Sequence, residues 1–161
     1  MPNEIYAELS KLCTTQLSRE EQWLNGLRGA VFYLRDELEK ELGVESETYI
    51  DLLRDRKETR YVNVVDINNQ PVNALLEGTI DGNGVSTVVI CIALALEGAS
   101  QPTTTWMFRI NVRYSERGAQ YAMVNKDGST PDWHAGRTEF IGVLIQELIK
   151  ELKFDPLNRY D

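Results

Sequence analysis

The chain has 161 residues, with 17 Lys and Arg against 25 Asp and Glu and a single His, for a formal net charge of −8. Chains near ~150 residues bury roughly 70% of their unfolded surface, so one domain of this length can build a core without disulfides or metals; apolar residues at 42% and charged residues at 26% exclude the composition of a disordered chain. The acidic balance excludes general affinity for nucleic-acid backbones, which rests on Lys and Arg displacing counterions.

Cys13 and Cys91 are too few and too far apart for a disulfide framework or a Cys zinc site, and one His cannot build a His-rich metal site. The opening Met1-Pro2-Asn3-Glu4 lacks the basic and then apolar pattern of a signal peptide. The longest apolar run, Val88 to Leu96, falls well short of the ~20 residues that span a bilayer. The expectation is a cytoplasmic protein with no membrane partner, no metal and no cofactor.

In chain order, the pattern predicts helices over 1–58, strands over 60–126 and a last helix over about 138–153. Asn3 caps a short amphipathic helix marked by Ile5, Leu9, Leu12 and Leu17. Ser18-Arg19-Glu20-Glu21 has the form of a capping box and so opens a second helix, in which Leu24, Leu27, Val31, Leu34, Leu38 and Leu42 recur at spacings of three and four. Gly43 ends it in the left-handed conformation. Gly26, Gly29 and Ala30 permit close approach of another backbone, either within the fold against the sheet or at a seam with a second copy or a partner helix. Asp36, Glu37, Glu39 and Glu41 fan around this helix with Arg35 and Lys40 among them, as on a solvated face.

Ser46 is placed to cap a third helix through Tyr49, Ile50, Leu52 and Leu53. It runs into the densest basic cluster of the chain, Arg54, Arg56, Lys57 and Arg60. That cluster is either a solvated helix end complementing the dipole or a binding patch.

Strands follow at Tyr61–Ile67, Val72–Ile80, Val85–Leu96, Thr103–Tyr114 and Ala119–Asn125, with turns at Asn68-Asn69-Gln70-Pro71 and Asp81-Gly82-Asn83-Gly84. Consecutive hairpins make an antiparallel meander of about five strands. Both faces of the third strand are apolar, bulky at Val88, Ile90, Ile92 and Leu94 and small at Cys91, Ala93 and Ala95. Pairing with the fourth strand would extend the small face with Arg109, Asn111 and Arg113, a shallow floor rimmed by guanidinium groups with Tyr121 or Trp133 available for stacking. Alternatively, Arg109 and Arg113 form ordinary cross-strand ion pairs.

Thr130 and Pro131 read as a cap and first residue of a helical turn, and Thr138 as the cap of the last helix, which is apolar around more than half its circumference. Between them lies the single His, in Asp132-Trp133-His134-Ala135-Gly136-Arg137. Asp132, His134 and Arg137 are the pieces of an acid-base site, although an isolated His beside a Trp in a helix-entry loop is more often a packing or capping residue. No phosphate loop, dinucleotide fingerprint, serine-nucleophile elbow or zinc-protease motif is present.

The architecture this predicts is a single α+β domain: N-terminal helices, the meander sheet and a C-terminal helix packed on it. Two functions follow. The first is a noncatalytic protein-interaction domain, a dimerising adaptor, inhibitor or immunity-type protein, with a protein partner or a second copy as homodimer. The second is a small-molecule or anion-binding domain using the Arg-rimmed face, with weak hydrolase-type acid-base chemistry at His134. An acidic inhibitor that occupies the nucleic-acid site of a basic target is a further subtype of the first, weakened because the acidic residues are spread along the chain.

Overall fold

In the computed structural model, which describes residues 3–52, 56–73, 75–129 and 132–158, Asn3 opens the first helix as its sequence predicts. Its side chain accepts the Tyr6 N–H at 3.0 Å. The helix, α1 (Glu4–Leu42), then runs without a break to Gly43, whose φ of 73° directs its N–H back to the carbonyls of Glu39 and Lys40.

The expected boundary at Ser18 is corrected: Ser18 lies inside α1. No Gly or Pro interrupts the chain between Ile5 and Leu24, and the hydroxyls of Thr14 and Thr15 return to carbonyls one turn earlier. The two apolar stripes are also in phase. Leu9 and Leu27 are about five turns apart at 3.6 residues per turn, so they point the same way and nothing favours a bend.

The expected third helix is a hairpin, β1 (Thr48–Asp51) with β2 (Lys57–Arg60), in register from Thr48 opposite Arg60 to Asp51 opposite Lys57. Ser46 sits at φ 61° rather than in the extended conformation of a cap, and Thr48, Tyr49 and Ile50 are β-branched or aromatic residues that suit a pleated surface. Leu53 and Arg54, assigned to that helix, lie outside the described residues. The hairpin is tied back to α1 by Arg60, whose guanidinium bonds Glu39 and Asp36.

The main sheet is an antiparallel meander in the order β3 (Val62–Val65), β4 (Ser86–Leu94), β5 (Thr104–Ser115), β6 (Gly118–Met123) and β7 (His134–Ala135). Five strands agree with the sequence, but one is a different strand. Among the described residues of the expected strand Val72–Ile80 and the Pro71 before it, the pairs that form are isolated ones, Val65 with Pro71 and Ile80 with Ser86. Pro71 has no N–H to give a ladder, and the Asn73 side chain holds a turn by accepting the N–H groups of Leu75 and Glu77. The fifth strand is β7, two residues long, paired to β6. The Asp81–Gly84 turn stands as predicted, with the Asp81 carboxylate accepting the N–H groups of Asn83 and Val85.

The last helix, α2 (Arg137–Lys153), follows Gly136 at φ 87° and has no side-chain cap, so Thr138 is its second residue and not its cap. The Thr130 and Pro131 assignment lies outside the described residues.

Both helices cover one face of the sheet. Leu27, Val31, Leu34 and Leu38 of α1 and Phe140, Leu144 and Leu148 of α2 meet Val88, Ile90, Ile92, Ile110, Val112 and Tyr121 in the core. The small residues of α1 serve this internal contact: a Cβ on Gly26 would overlap the Tyr114 ring, and the Ala30 carbonyl accepts the Tyr121 hydroxyl at 2.8 Å. The core begins at Leu27. Every described residue from Asn3 to Gln22 is exposed. About 28 Å of helix, at ~1.5 Å per residue, therefore extends beyond the body, leaving it beside Gly84, which packs under Trp23.

Candidate functional site

The β4–β5 register sets Val89 opposite Arg109, Thr87 opposite Asn111 and Cys91 opposite Met107. Arg109, Asn111 and Arg113 thus continue the small face of β4, as the alternation predicts. The face is already engaged. Asn111 accepts the Thr87 hydroxyl at 2.6 Å. Arg113 donates to Gln120 at 2.6 Å and lies 3.9 Å over the Trp133 ring, so Trp133 takes the stacking place within the chain. Among the described residues neither Arg makes the cross-strand ion pair that was the alternative. Tyr121 is a correction: opposite Val112, it faces the core, fully buried, and cannot stack on a ligand beside Arg113. Burial pushes its hydroxyl up to about 12, while the nearby Arg137 charge opposes this.

Arg109 alone remains open. Among the described residues it has no ion-pair partner. It lines a cleft of about 630 Å³ between β5, the segment after β6 and α2, where Lys126 and Lys150 are offset by Glu147 and Glu151.

The pieces of the His134 loop go to separate partners. His134 Nδ1 lies 3.4 Å from Glu139, and its ring lies 5.9 Å from Phe140. Arg137 donates to Glu37 at 3.3 Å and lies 5.5 Å over Tyr33. Asp132 is exposed and makes no hydrogen bond to either. The structure does not bring the three onto one reacting atom.

The basic cluster is likewise dispersed. Arg56 occupies the hairpin turn at φ 55° and Lys57 is exposed on β2, while Arg54 lies outside the described residues. Arg60 is bound to Glu39, whose side chain is 2% exposed, and to Asp36. The Glu39 hydrogen bond raises the Arg60 pKa above its ordinary value, so this cation is fixed in place.

Between the hairpin and the outer face of the sheet lies a cavity of about 470 Å³, lined by Tyr49, Thr59, Asn63, Cys91, Gln101 and Met107 among others. Tyr49, on its lining, packs edge-on against Tyr61, ring centroids 5.3 Å apart. The hairpin is therefore the partial cover of the second sheet face that the apolar β4 strand demanded. Among the described residues no cluster of metal-ligating side chains occurs, and no helix is long and apolar enough to cross a membrane.

The largest unengaged feature is the projecting half of α1. Ile5, Tyr6, Leu9, Leu12 and Leu17 are each about 60–70% exposed on one side of it. The periodicity of these residues is visible in the sequence; what hid their role was the capping-box form at Ser18, which made them a separate short helix free to fold back. The phase match between Leu9 and Leu27 is the signal that would have joined the two. Comparison of the chain with protein-family models, curated proteins and solved structures finds no match.

Proposed function

We propose that this chain is a noncatalytic protein-interaction domain whose contact element is the projecting half of α1. The observation that carries it is the exposure of Ile5, Leu9 and Leu12 at 70%, 59% and 58% on a stretch of α1 in which every described residue from Asn3 to Gln22 is exposed. Most helical stability in proteins comes from packing an amphipathic face, and this stretch packs none of its own. A partner on that face supplies the missing packing, at roughly 1.5–3 kcal/mol for each large apolar side chain fully buried. Adaptor, inhibitor and immunity-type roles share this requirement, and a cytoplasmic location accompanies them.

The test is capture from the native cell with the wild-type chain and with Leu9→Glu/Leu12→Glu, both exposed positions that leave the core intact. A protein, or the chain itself, retained by the wild type and lost with the variant is expected. Identical retention by both chains overturns the proposal.

One observation favours a second reading, an anion site: Arg109 is exposed and has no ion pair among the described residues, beside Lys126 and Lys150. A ligand in a thermal-shift screen of nucleotides and acidic metabolites whose effect vanishes in Arg109→Ala would support it, and no effect from any of them would dismiss it.

A further inference from the structure

We infer that the occupant of the projecting helix is a second copy of this chain, paired antiparallel so that Glu8 of each copy meets the partner's Arg19. The inference rests on the interaction role proposed for this helix and names its partner.

The exposed stripe carries its own charge code. Glu8 and Arg19 are eleven residues apart, about three turns, so they lie within about 20° of each other on one flank of the stripe. Both are exposed, and neither has an ion-pair partner among the described residues. Turning one helix end for end about an axis normal to the pair keeps each flank on its own side. Glu8 then faces the partner's Arg19, and by symmetry Arg19 faces the partner's Glu8. Flanking charges of this kind set orientation and partner choice between paired helices.

Glu20 decides against the parallel alternative. It is eleven residues beyond Leu9, and so lies within about 20° of the stripe's centre, where it bonds Gln16 at 3.3 Å. A parallel, in-register pair would stack the two Glu20 carboxylates in the seam. The antiparallel register instead sets Glu20 beside the partner's Tyr6, whose phenol is a donor and is 60% exposed. The same register brings Glu4 level with the partner's Trp23, where α1 first ceases to be exposed. The pairing thus consumes the whole projecting length and stops where each body begins. Two such segments bury on the order of 1,000 Å² in total, the lower bound for a specific interface, which suits a dimer of micromolar affinity.

A lipid surface fits less well, since the segment from Glu4 to Gln22 has Glu4, Glu8, Glu20 and Glu21 against Lys11 and Arg19, whereas interfacial helices have a basic polar face.

The experiment is sedimentation equilibrium of the full chain, up to about 0.5 mM, as wild type, Glu8→Arg, Arg19→Glu and an equimolar mixture of these two variants. The wild type is expected to dimerise, and each single variant to weaken the dimer about tenfold, since two pairs turn from attractive to repulsive. The mixture should restore wild-type affinity, because one chain then presents two Arg to two Glu of the other. Restoration in the mixture is specific to this register. A wild type that stays monomeric, a dimer that persists in Leu9→Glu/Leu12→Glu, or a mixture no tighter than the single variants would each overturn it. A monomeric chain that still captures a different protein through Leu9 and Leu12 overturns the second copy alone; one that captures nothing overturns the interaction role as well.

Discussion

Replacing Arg60 by Met separates a structural cation from a binding one. Glu39 is 2% exposed on the side of α1 that faces the hairpin, and Arg60 reaches it from the end of β2 while also bonding Asp36. Removing the guanidinium leaves a buried carboxylate without its partner, a change that costs about 3–5 kcal/mol in fully enclosed pairs. The Arg60 side chain is itself 40% exposed, so water can refill part of the space. The expected loss is therefore about 2–3 kcal/mol, a fall in Tm of about 5–10 °C for a chain of this size. Replacing both residues in Glu39→Leu/Arg60→Met removes the unpaired charge and should recover stability to within about 1 kcal/mol of the wild type. Urea unfolding followed by circular dichroism, at constant m-value, measures all of these. An Arg60→Met protein within about 0.5 kcal/mol of the wild type, or a double variant no more stable than the single one, would refute the assignment of Arg60 to the fold.

Tyr121→Phe removes the hydrogen bond to the Ala30 carbonyl and should cost about 1–2 kcal/mol in the same assay. Because burial raises the Tyr121 pKa from 10.0 to about 12, the folded state holds this proton more tightly than the unfolded one. Its contribution is complete below pH 10, is lost as pH rises through 12 and amounts to about 2–3 kcal/mol; the Phe variant should lack that alkaline decline. Gly26→Ala gains about 1 kcal/mol of helix propensity but drives a Cβ into the Tyr114 ring, so a net loss of about 1–3 kcal/mol is expected, relieved when Tyr114 is shortened to Leu. A stabilised Gly26→Ala protein would show that α1 is free to move off the sheet.

The sheet was legible where alternation and turn chemistry agreed. Asp81 to Gly84 announced its turn through residues that bond their own backbone or accept positive φ, and the two apolar faces of β4 fit a strand inside the sheet, between β3 and β5, whose second face the hairpin partly covers. The segments that misled are those in which two patterns compete. Tyr49 and Ile50 fit a helix turn by spacing with Leu52 and Leu53 and a strand by residue type, and for these two pairing with β2, a tertiary event, decides. Val72 to Ile80 has the alternation of a strand but contains Asn73, whose side chain captures the backbone first. β7, with two residues, is too short to carry a period at all.

The candidate residues show the same division between composition and placement. Arg109, Asn111 and Arg113 were assigned to the correct face because strand parity needs only the sequence, whereas Tyr121 was assigned to the wrong one because its face depends on the β5–β6 register, which the Glu116-Arg117-Gly118 turn sets. Asp132, His134 and Arg137 are neighbours in sequence but not in chemistry, since β7 and the start of α2 turn His134 toward Glu139 and Phe140 and Arg137 toward Glu37. For α1 the stripe itself was plain, and only the extent of its cover was not. Leu27 and Leu9 present the same kind of side chain in the same direction, yet one is fully buried and the other 59% exposed, because the sheet ends between them. A hydrophobic period states that a face requires cover; where the fold stops supplying it, the remaining length of the same face is what a second chain can bind.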